Sequence, residues 1–319
     1  MSNLLKILDY FFLTRPILFI PGWATFLAGY AAAKGDVNFS YFFAEKNFNV
    51  EWWNPHVFSG LFIFSCAMGG SFILNQLQDI HSDKRNNKLF LLGEGFISPH
   101  AGYIESIVLL GFALLGAFFL NAAFFLSIFA FNVITGYLYN FAPFSFKNKP
   151  IGGLAANMAM GWLAFCMGWV IDKPISFELL LFSLPYLFFN TALYFLTTLP
   201  DLDGDRASGK RTFPVQYGAI ITVVLSLFFF ILAIGASIRH KNEFMLVVSI
   251  LTAPFMTKLA IRRDTRSAIF AVKSGIASFA LLICARFPAF LLLLAMVFFF
   301  TRFYYKNRFD FDYPNFRGQ

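Results

Sequence analysis

An acidic group with helical spacing ends a long apolar run in the first third of the chain. Asn75, Asp79 and Asp83 follow one another at intervals of four residues, so on a helix they share one face. Two carboxylates at the end of a hydrophobic helix cost free energy unless they are compensated, because the loss of water disfavours their charged form. The spacing therefore predicts that a cation lies beside them.

A second acidic group ends a later apolar run with the same spacing. Asp201 and Asp205 are four residues apart, and Asp203 lies between them. Carboxylate oxygens without His or Cys suit Mg²⁺, which typically links protein carboxylates to substrate phosphates. Basic loops follow both groups, so the pattern indicates a site for a lipid diphosphate. The chemistry expected there is ionisation to an allylic cation in a dry pocket and capture of that cation by an acceptor.

The composition places the chain among membrane proteins. Of its 319 residues, 58% are hydrophobic and 13% are charged, and the mean hydropathy is +0.66. The net charge of +8 is distributed over short loops, so nucleic acid is not an expected partner. Cys66, Cys166 and Cys284 lie singly in apolar runs and are interpreted as packing residues.

The apolar runs predict an all-α fold, a polytopic transmembrane helix bundle that forms a single domain over residues 1–319. A bilayer is crossed by about 20 apolar residues, and the chain offers ten such runs. The last two could be one interrupted element, which would leave nine spans. The predicted spans are 15–33, 56–77, 101–120, 122–139, 151–171, 177–199, 215–238, 244–260, 268–285 and 288–304.

The distribution of Lys and Arg predicts the orientation of the bundle. With the N-terminus in the cytoplasm, the most basic loops all fall on the cytoplasmic side, as the positive-inside rule requires. Both acidic groups and the central cavity between the helices then open to the cytoplasm. We expect an integral protein of a bacterial inner membrane. The loop cations that carry this inference are Lys84, Arg85, Lys88, Lys147, Lys149, Arg206, Lys210, Arg211, Arg262, Arg263 and Arg266.

Three segments resemble a known family in their order along the chain. The first acidic group, followed by Asn87-Lys88 and Gly95-Phe96-Ile97-Ser98, looks like the first motif of the UbiA-type intramembrane prenyltransferases. The segment 200–206, followed by 209–214, resembles their second motif. Tyr139-Asn140 and Pro143, leading to Lys147, are similar to the loop after the fourth span of the family. Together, the two acidic motifs are a strong signal.

The resemblance implies a helical bundle, usually of nine spans, that needs Mg²⁺ and transfers a prenyl group from a prenyl diphosphate to a small-molecule acceptor within the lipid bilayer. The expected acceptor is an aromatic quinone precursor of the hydroxybenzoate, dihydroxynaphthoate or homogentisate type. A glycerol phosphate of ether lipids or a tetrapyrrole is the alternative. The motif variants around Asn75 and Asp201 are most similar to members that prenylate homogentisate or make archaeal-type ether lipids.

The resemblance also assigns roles to individual residues. The carboxylates of both groups would bind metal and serve catalysis, with Asp203 as a further metal ligand. The substrate would be held by Asn75, Tyr139, Lys147, Tyr194, Lys210 and Arg211. Cations that the family often carries are replaced here by Leu91, Ser145 and Thr197.

Two other classes of function fit parts of the pattern. A cation transporter would bind its ion at carboxylates near the middle of the membrane, whereas these carboxylates lie at span ends. A lipid-binding relative without catalytic activity would retain the fold but lack part of the phosphate site, as the three missing cations allow.

Overall fold

The computed structural model describes residues 2–37, 54–85 and 91–314, and these segments fold into helices joined by short turns. A 3₁₀ turn, Pro16–Phe19, separates the first two helices. The helices are α1 (Ser2–Leu13), α2 (Ile20–Ala33), α3 (Pro55–Arg85), α4 (Pro99–Leu120), α5 (Ala122–Phe131), α6 (Pro150–Trp169), α7 (Phe177–Thr197), α8 (Leu202–Ala207), α9 (Phe213–Tyr217), α10 (Ala219–Arg239), α11 (Glu243–Arg262), α12 (Thr265–Arg286) and α13 (Pro288–Phe309).

The all-α transmembrane architecture expected from the sequence is confirmed. In the described segments, nine helices are long and apolar enough to cross a bilayer, and Ala122–Leu138 is a shorter apolar segment beside them. The last two predicted spans are separate helices of 22 residues each, α12 and α13, which meet at Phe287 and Pro288. Pro288 suits this position because the first helical residue needs no hydrogen-bonded N–H.

The helices run alternately in opposite directions, which gives the bundle two distinct ends. We call the end at which α3 and α7 finish the site end, and the other the far end. Ion pairs join the end of α2 to the ends of α6 and α12 at the far end: Lys34 pairs with Asp172 at 2.6 Å, and the Arg286 guanidinium pairs with Asp36. The Arg286 pair is nearly enclosed, since its side chains are 8% and 13% exposed.

Helices α2 and α6 approach each other closely at two glycines. A Cβ atom on Gly29 would lie 2.0 Å from the Phe165 carbonyl oxygen, and one on Gly168 would lie 1.8 Å from the Phe26 carbonyl oxygen. Only glycine permits this approach, which is the means by which membrane helices without a hydrophobic driving force gain packing energy. The contact closes the bundle on the far-end side of the central cavity.

We expect Gly29→Ala to lower the free energy of unfolding by about 1–3 kcal/mol, because the new methyl group would meet backbone that cannot move aside. Thermal unfolding of the purified protein in detergent measures the loss. Gly111→Ala in α4 is the matched control, since nothing lies within 4 Å of its added Cβ. Equal melting temperatures for the two variants would contradict the close approach.

Candidate active site

The first acidic group lies at the site end of α3 and has a cation beside it. The Lys147 ammonium lies 3.0 Å from Oδ2 of Asp79 and donates to Oδ1 of Asn75 at 3.4 Å. Lys147 is 8% exposed and Asp79 is 13% exposed, so water screens the pair weakly. The cation that the spacing predicted is therefore present. It comes from the loop between α5 and α6.

A second lysine joins the two acidic groups. The Lys210 ammonium, from the loop after the second group, lies 3.3 Å from Oδ1 of Asp79. Asp79 thus has a lysine at each carboxylate oxygen, and each lysine comes from a different loop. The ion pair brings the segment that follows Asp205 to the end of the helix that carries Asn75.

The structure shows how the second acidic group is arranged. Asp201 precedes the short helix α8, Asp203 is exposed on it, and Asp205 is 9% exposed. The Lys210 amide donates to the Asp205 carbonyl at 3.0 Å after Gly209, whose φ of +74° reverses the chain. This turn directs the Lys210 side chain back across the site to Asp79.

Two tyrosines and one amide connect the acidic groups on the inner side. The hydroxyl groups of Tyr139 and Tyr194 both interact with the Asn157 side chain. Asp79 and Asp205, one from each acidic group, both interact electrostatically with Tyr139. Asn157 is held in α6 by donating to the Gly153 carbonyl at 2.9 Å.

An irregular segment positions Lys147. After α5 the chain continues as a π-helix, Asn132–Leu138, a feature that often marks functional sites. The Asn140 amide caps this segment by donating to the carbonyls of Thr135 and Gly136 at 2.9 and 3.0 Å. The Lys147 amide then donates to the Tyr139 carbonyl at 3.2 Å, which folds the loop over the site.

Residues of the candidate site line two cavities. The polar cavity has a volume of about 520 Å³ and is lined by Gln78, Asp79, Asn140, Ala142, Ser145, Lys147, Asn148, Ser208, Gly209 and Lys210. The central cavity, about 240 Å³, lies between α2, α3, α6 and α7 and is mostly apolar, with Asn157, Tyr194 and Thr197 at its site end. The polar cavity suits a charged head group, and the central cavity suits a hydrocarbon chain.

The remaining predicted residues lie as follows. Arg211 is exposed, and the side chain of Asp83 lies outside the described residues. Leu91, at a position where the family often has a cation, is 2% exposed and packs away from the site. Ser145 and Thr197 line the polar and the central cavity, respectively.

Asn157, Asn140 and Gln78 line the two cavities but were not among the predicted site residues. Asn157 was detectable, because an amide in the middle of an apolar span is a functional candidate by default. Asn140 and Gln78 adjoin singled-out residues but carry no spacing signal of their own.

The donor set suits Mg²⁺. Asp79, Asp201 and Asp205 offer carboxylate oxygens and Asn75 offers an amide oxygen, the ligand type that Mg²⁺ prefers. Among the described residues, no three acidic, His or Cys side chains are close enough to hold an ion by themselves. Mg²⁺ is commonly bound through one or two carboxylates and completed by substrate phosphates, so a site shared with a diphosphate matches this arrangement.

The fold and the site define an apolar helical bundle in which lysines from two loops, one of them the loop of the second acidic motif, converge on Asp79 of the first. The profile of the UbiA prenyltransferase family matches residues 23–268. The chain therefore belongs to the UbiA prenyltransferase family.

Individual relatives are distant and differ in acceptor. The chain is 26% identical over 215 residues to a 2-acylphloroglucinol 4-prenyltransferase of Humulus lupulus, covering 60% of this chain and 51% of that protein. It is 30% identical over 174 residues to the digeranylgeranylglyceryl phosphate synthase of Methanococcus aeolicus, covering 54% and 60%. The chain thus spans about half to three fifths of the length of the curated relatives it matches.

Solved structures share the fold over nearly their whole length. A UbiA homologue from Archaeoglobus fulgidus bound to Cd²⁺ has a TM-score of 0.62 at 25% identity and covers 90% of this chain and 99% of its own. The same homologue bound to GPP and Mg²⁺ gives a TM-score of 0.57 at 23% identity, covering 86% and 99%. A structure concerned with digeranylgeranylglyceryl phosphate synthase has a TM-score of 0.64 at 18% identity, covering 90% and 99%.

We expect Lys147→Met to weaken binding of inorganic diphosphate in the presence of Mg²⁺ by about 10- to 100-fold, because a hydrogen bond to a charged group contributes about 1.5–3 kcal/mol. Isothermal titration calorimetry measures the affinity. Lys173→Met is the control, since Lys173 is 43% exposed at the far end. Unchanged affinity in Lys147→Met would exclude this lysine from the anion site.

Proposed function

We propose that this chain is a Mg²⁺-dependent prenyltransferase that transfers the prenyl group of a prenyl diphosphate to an acceptor in the membrane. The observation that carries the proposal is the convergence of Lys147 and Lys210 on Asp79, one lysine from each of two loops. Family membership and the acidic motifs support the same conclusion. A homologue solved with GPP and Mg²⁺ is consistent with this substrate class and ion.

In the proposed substrate complex, the diphosphate lies in the polar cavity and its lysine contacts replace those to Asp79. Asp79 and Asp83 would hold one Mg²⁺ and Asp201 and Asp205 another, with Asp203 as a further candidate ligand. Bound Mg²⁺ supplies charge stabilisation for the departing diphosphate. Two lysines and an ion together offset the repulsion that a diphosphate would otherwise meet beside carboxylates. Further contacts to the substrate come from Asn75, Tyr139, Tyr194 and Arg211.

The reaction breaks the bond between the allylic carbon and the diphosphate oxygen, and the electron pair leaves with the diphosphate. Lys147 and Lys210 stabilise the charge that develops on that oxygen, since preorganised donors act strongly in a site from which water is excluded. The apolar wall of the central cavity keeps water from the allylic cation. A nucleophilic carbon or oxygen of the acceptor then forms the new bond and loses its proton.

Tyr194 lines the central cavity, and Tyr139 lies near it. Their aromatic faces stabilise a passing cation through the ring quadrupole. Both hydroxyl groups interact with the Asn157 side chain, which restricts the two rings. Fixed rings preserve the alignment of the cation with its acceptor.

The acceptor that we propose is an aromatic quinone precursor of the hydroxybenzoate, dihydroxynaphthoate or homogentisate type. The similarity to a 2-acylphloroglucinol 4-prenyltransferase, whose name describes an aromatic acceptor, supports this choice. A glycerol phosphate acceptor is the second candidate, favoured by the similarity to a digeranylgeranylglyceryl phosphate synthase. In this proposal the site lies on the cytoplasmic side of the membrane, and the excess of loop cations at the site end supports that orientation.

Incubation of the purified protein with geranyl, farnesyl or geranylgeranyl diphosphate and a panel of aromatic and glycerol phosphate acceptors tests the proposal. We expect diphosphate release that requires Mg²⁺ and one acceptor class. Asp79→Asn and Asp205→Asn should each lower the rate at least about 100-fold, the scale of losing one transition-state contact.

Asp172→Asn is the matched control, because Asp172 forms its ion pair with Lys34 at the far end. This variant should retain the wild-type rate. Release that persists in Asp79→Asn, or no release with any acceptor in the presence of Mg²⁺, would refute the proposed activity.

A further inference from the structure

Helices α1 and α13 lie outside residues 23–268, the part of the chain that matches the family, and a buried polar contact joins them. Asp9 of α1 is 2% exposed. Its Oδ1 accepts from the Tyr304 hydroxyl at 2.6 Å and from Nε of Arg308 at 3.1 Å, and its Oδ2 accepts from Nη2 of Arg308 at 3.0 Å. A bidentate arginine contact of this kind fixes both partners in orientation as well as in distance.

The two helices form a second core against the helix that carries the first acidic group. This second core is separate from the main core of the bundle. It consists of Leu5, Phe12, Leu13, Ile73, Leu74, Leu77, Leu91, Leu92, Ile97, Tyr304 and Tyr305. Three members, Ile73, Leu74 and Leu77, lie in α3 on the side away from Asn75 and Asp79, so the back of the site helix belongs to the same core as α1 and α13.

Hydrogen bonds and ring contacts extend this packing on both sides of the first acidic group. The Gln76 amide, 5% exposed, donates to the Leu13 carbonyl at 2.8 Å and ties α3 to α1. On the other side, the Arg308 guanidinium lies 5.1 Å from the Phe96 ring, and that ring contacts Phe309 at 4.9 Å. Phe96 belongs to the segment that follows the acidic group, so one arginine contacts both α1 and this segment.

A helix end needs such support if it carries metal ligands. The last turn of a helix lacks part of its hydrogen bonding and opens at lower free energy than the helix interior. Metal and diphosphate binding require ligands held within about 0.5 Å. In α3 the candidate ligands lie towards the C-terminal end, where α1 and α13 add to the packing that α4 provides.

We propose that Asp9, Tyr304 and Arg308 form a latch that positions Asn75 and Asp79 for the metal and the diphosphate. The three residues of the latch would contact neither the metal nor the diphosphate, so they are positioning residues. This inference rests on the proposed function, because it assumes that the first acidic group binds a metal with the diphosphate. Helices outside the family-matched part of the chain would then determine the affinity of the first acidic group for its metal.

The test measures metal affinity directly. Mn²⁺ replaces Mg²⁺, inorganic diphosphate is present, and electron paramagnetic resonance follows free Mn²⁺. We expect Asp9→Asn and Arg308→Gln to weaken Mn²⁺ binding by about tenfold, the lower range for loss of a group that orients a metal ligand. Arg308→Lys keeps the positive charge but loses the bidentate guanidinium contact, so its Mn²⁺ affinity should lie between those of the wild type and Arg308→Gln.

The Arg286–Asp36 pair at the far end is the matched control. It is also nearly enclosed, so Asp36→Asn should lower the melting temperature to a similar extent. It lies away from α3's final turns and should leave Mn²⁺ affinity at the wild-type value. If Asp9→Asn prevents folding, Tyr304→Phe removes a single hydrogen bond and should weaken binding less.

The outcomes separate this inference from the proposed function. Wild-type Mn²⁺ affinity in Asp9→Asn, Arg308→Gln and Tyr304→Phe would overturn the latch while diphosphate release remains intact. An equal loss of Mn²⁺ affinity in Asp36→Asn would also overturn it, because the effect would then reflect general destabilisation. If Asp79→Asn itself binds Mn²⁺ as the wild type does, the metal site fails and the latch fails with it.

Discussion

A carboxylate at the membrane end of an apolar helix is stable only when cations lie close to it, and this constraint organises the site of the protein. Asp79 has a lysine at each of its two oxygens, at 3.0 and 3.3 Å. Removing one partner of such a poorly hydrated pair costs more than the pair itself contributes, because an uncompensated charge is left behind. The loops that carry Lys147 and Lys210 must therefore fold onto the same helix end, and the bundle is arranged so that they do.

The rest of the fold keeps that end open and the other end closed. At the far end, the Arg286–Asp36 and Lys34–Asp172 pairs join the helices, and α2 meets α6 through Gly29 and Gly168. At the site end, the polar cavity contains Asp79 and both lysines, and the apolar central cavity has Asn157, Tyr194 and Thr197 at its site end. An amphiphilic substrate with a charged head and a hydrocarbon tail matches this order of cavities, and it is the substrate type on which the proposed activity depends.

Much of the fold and of the candidate site could be predicted from the sequence, because the signals for both are local. Hydrophobic runs give the spans, and the spacing of four residues puts Asn75 and Asp79 on one face. The requirement for a compensating cation follows from elementary electrostatics, and Lys147 was among the candidates. The resemblance to the family then indicated that the two acidic motifs belong to one site.

Other features depend on contacts that no local pattern encodes. The Asp9–Arg308 contact joins residues 299 positions apart, and each residue alone resembles an ordinary charge near a helix end. The π-helix before Tyr139 is a shift in hydrogen-bond register that composition does not specify. Leu91 was notable only for a missing cation, whereas in the structure it packs in the second core.

The central claim is that both acidic groups serve one metal–diphosphate site. A double-mutant cycle on Asp79→Asn and Asp205→Asn, measured as the Mg²⁺-dependent affinity for inorganic diphosphate, tests it most directly. Residues that share ligands are coupled by about 0.5–3 kcal/mol, whereas distant independent residues are additive within about 0.5 kcal/mol. We expect the double variant to lose clearly less affinity than the sum of the two single variants. Strict additivity would contradict a shared site.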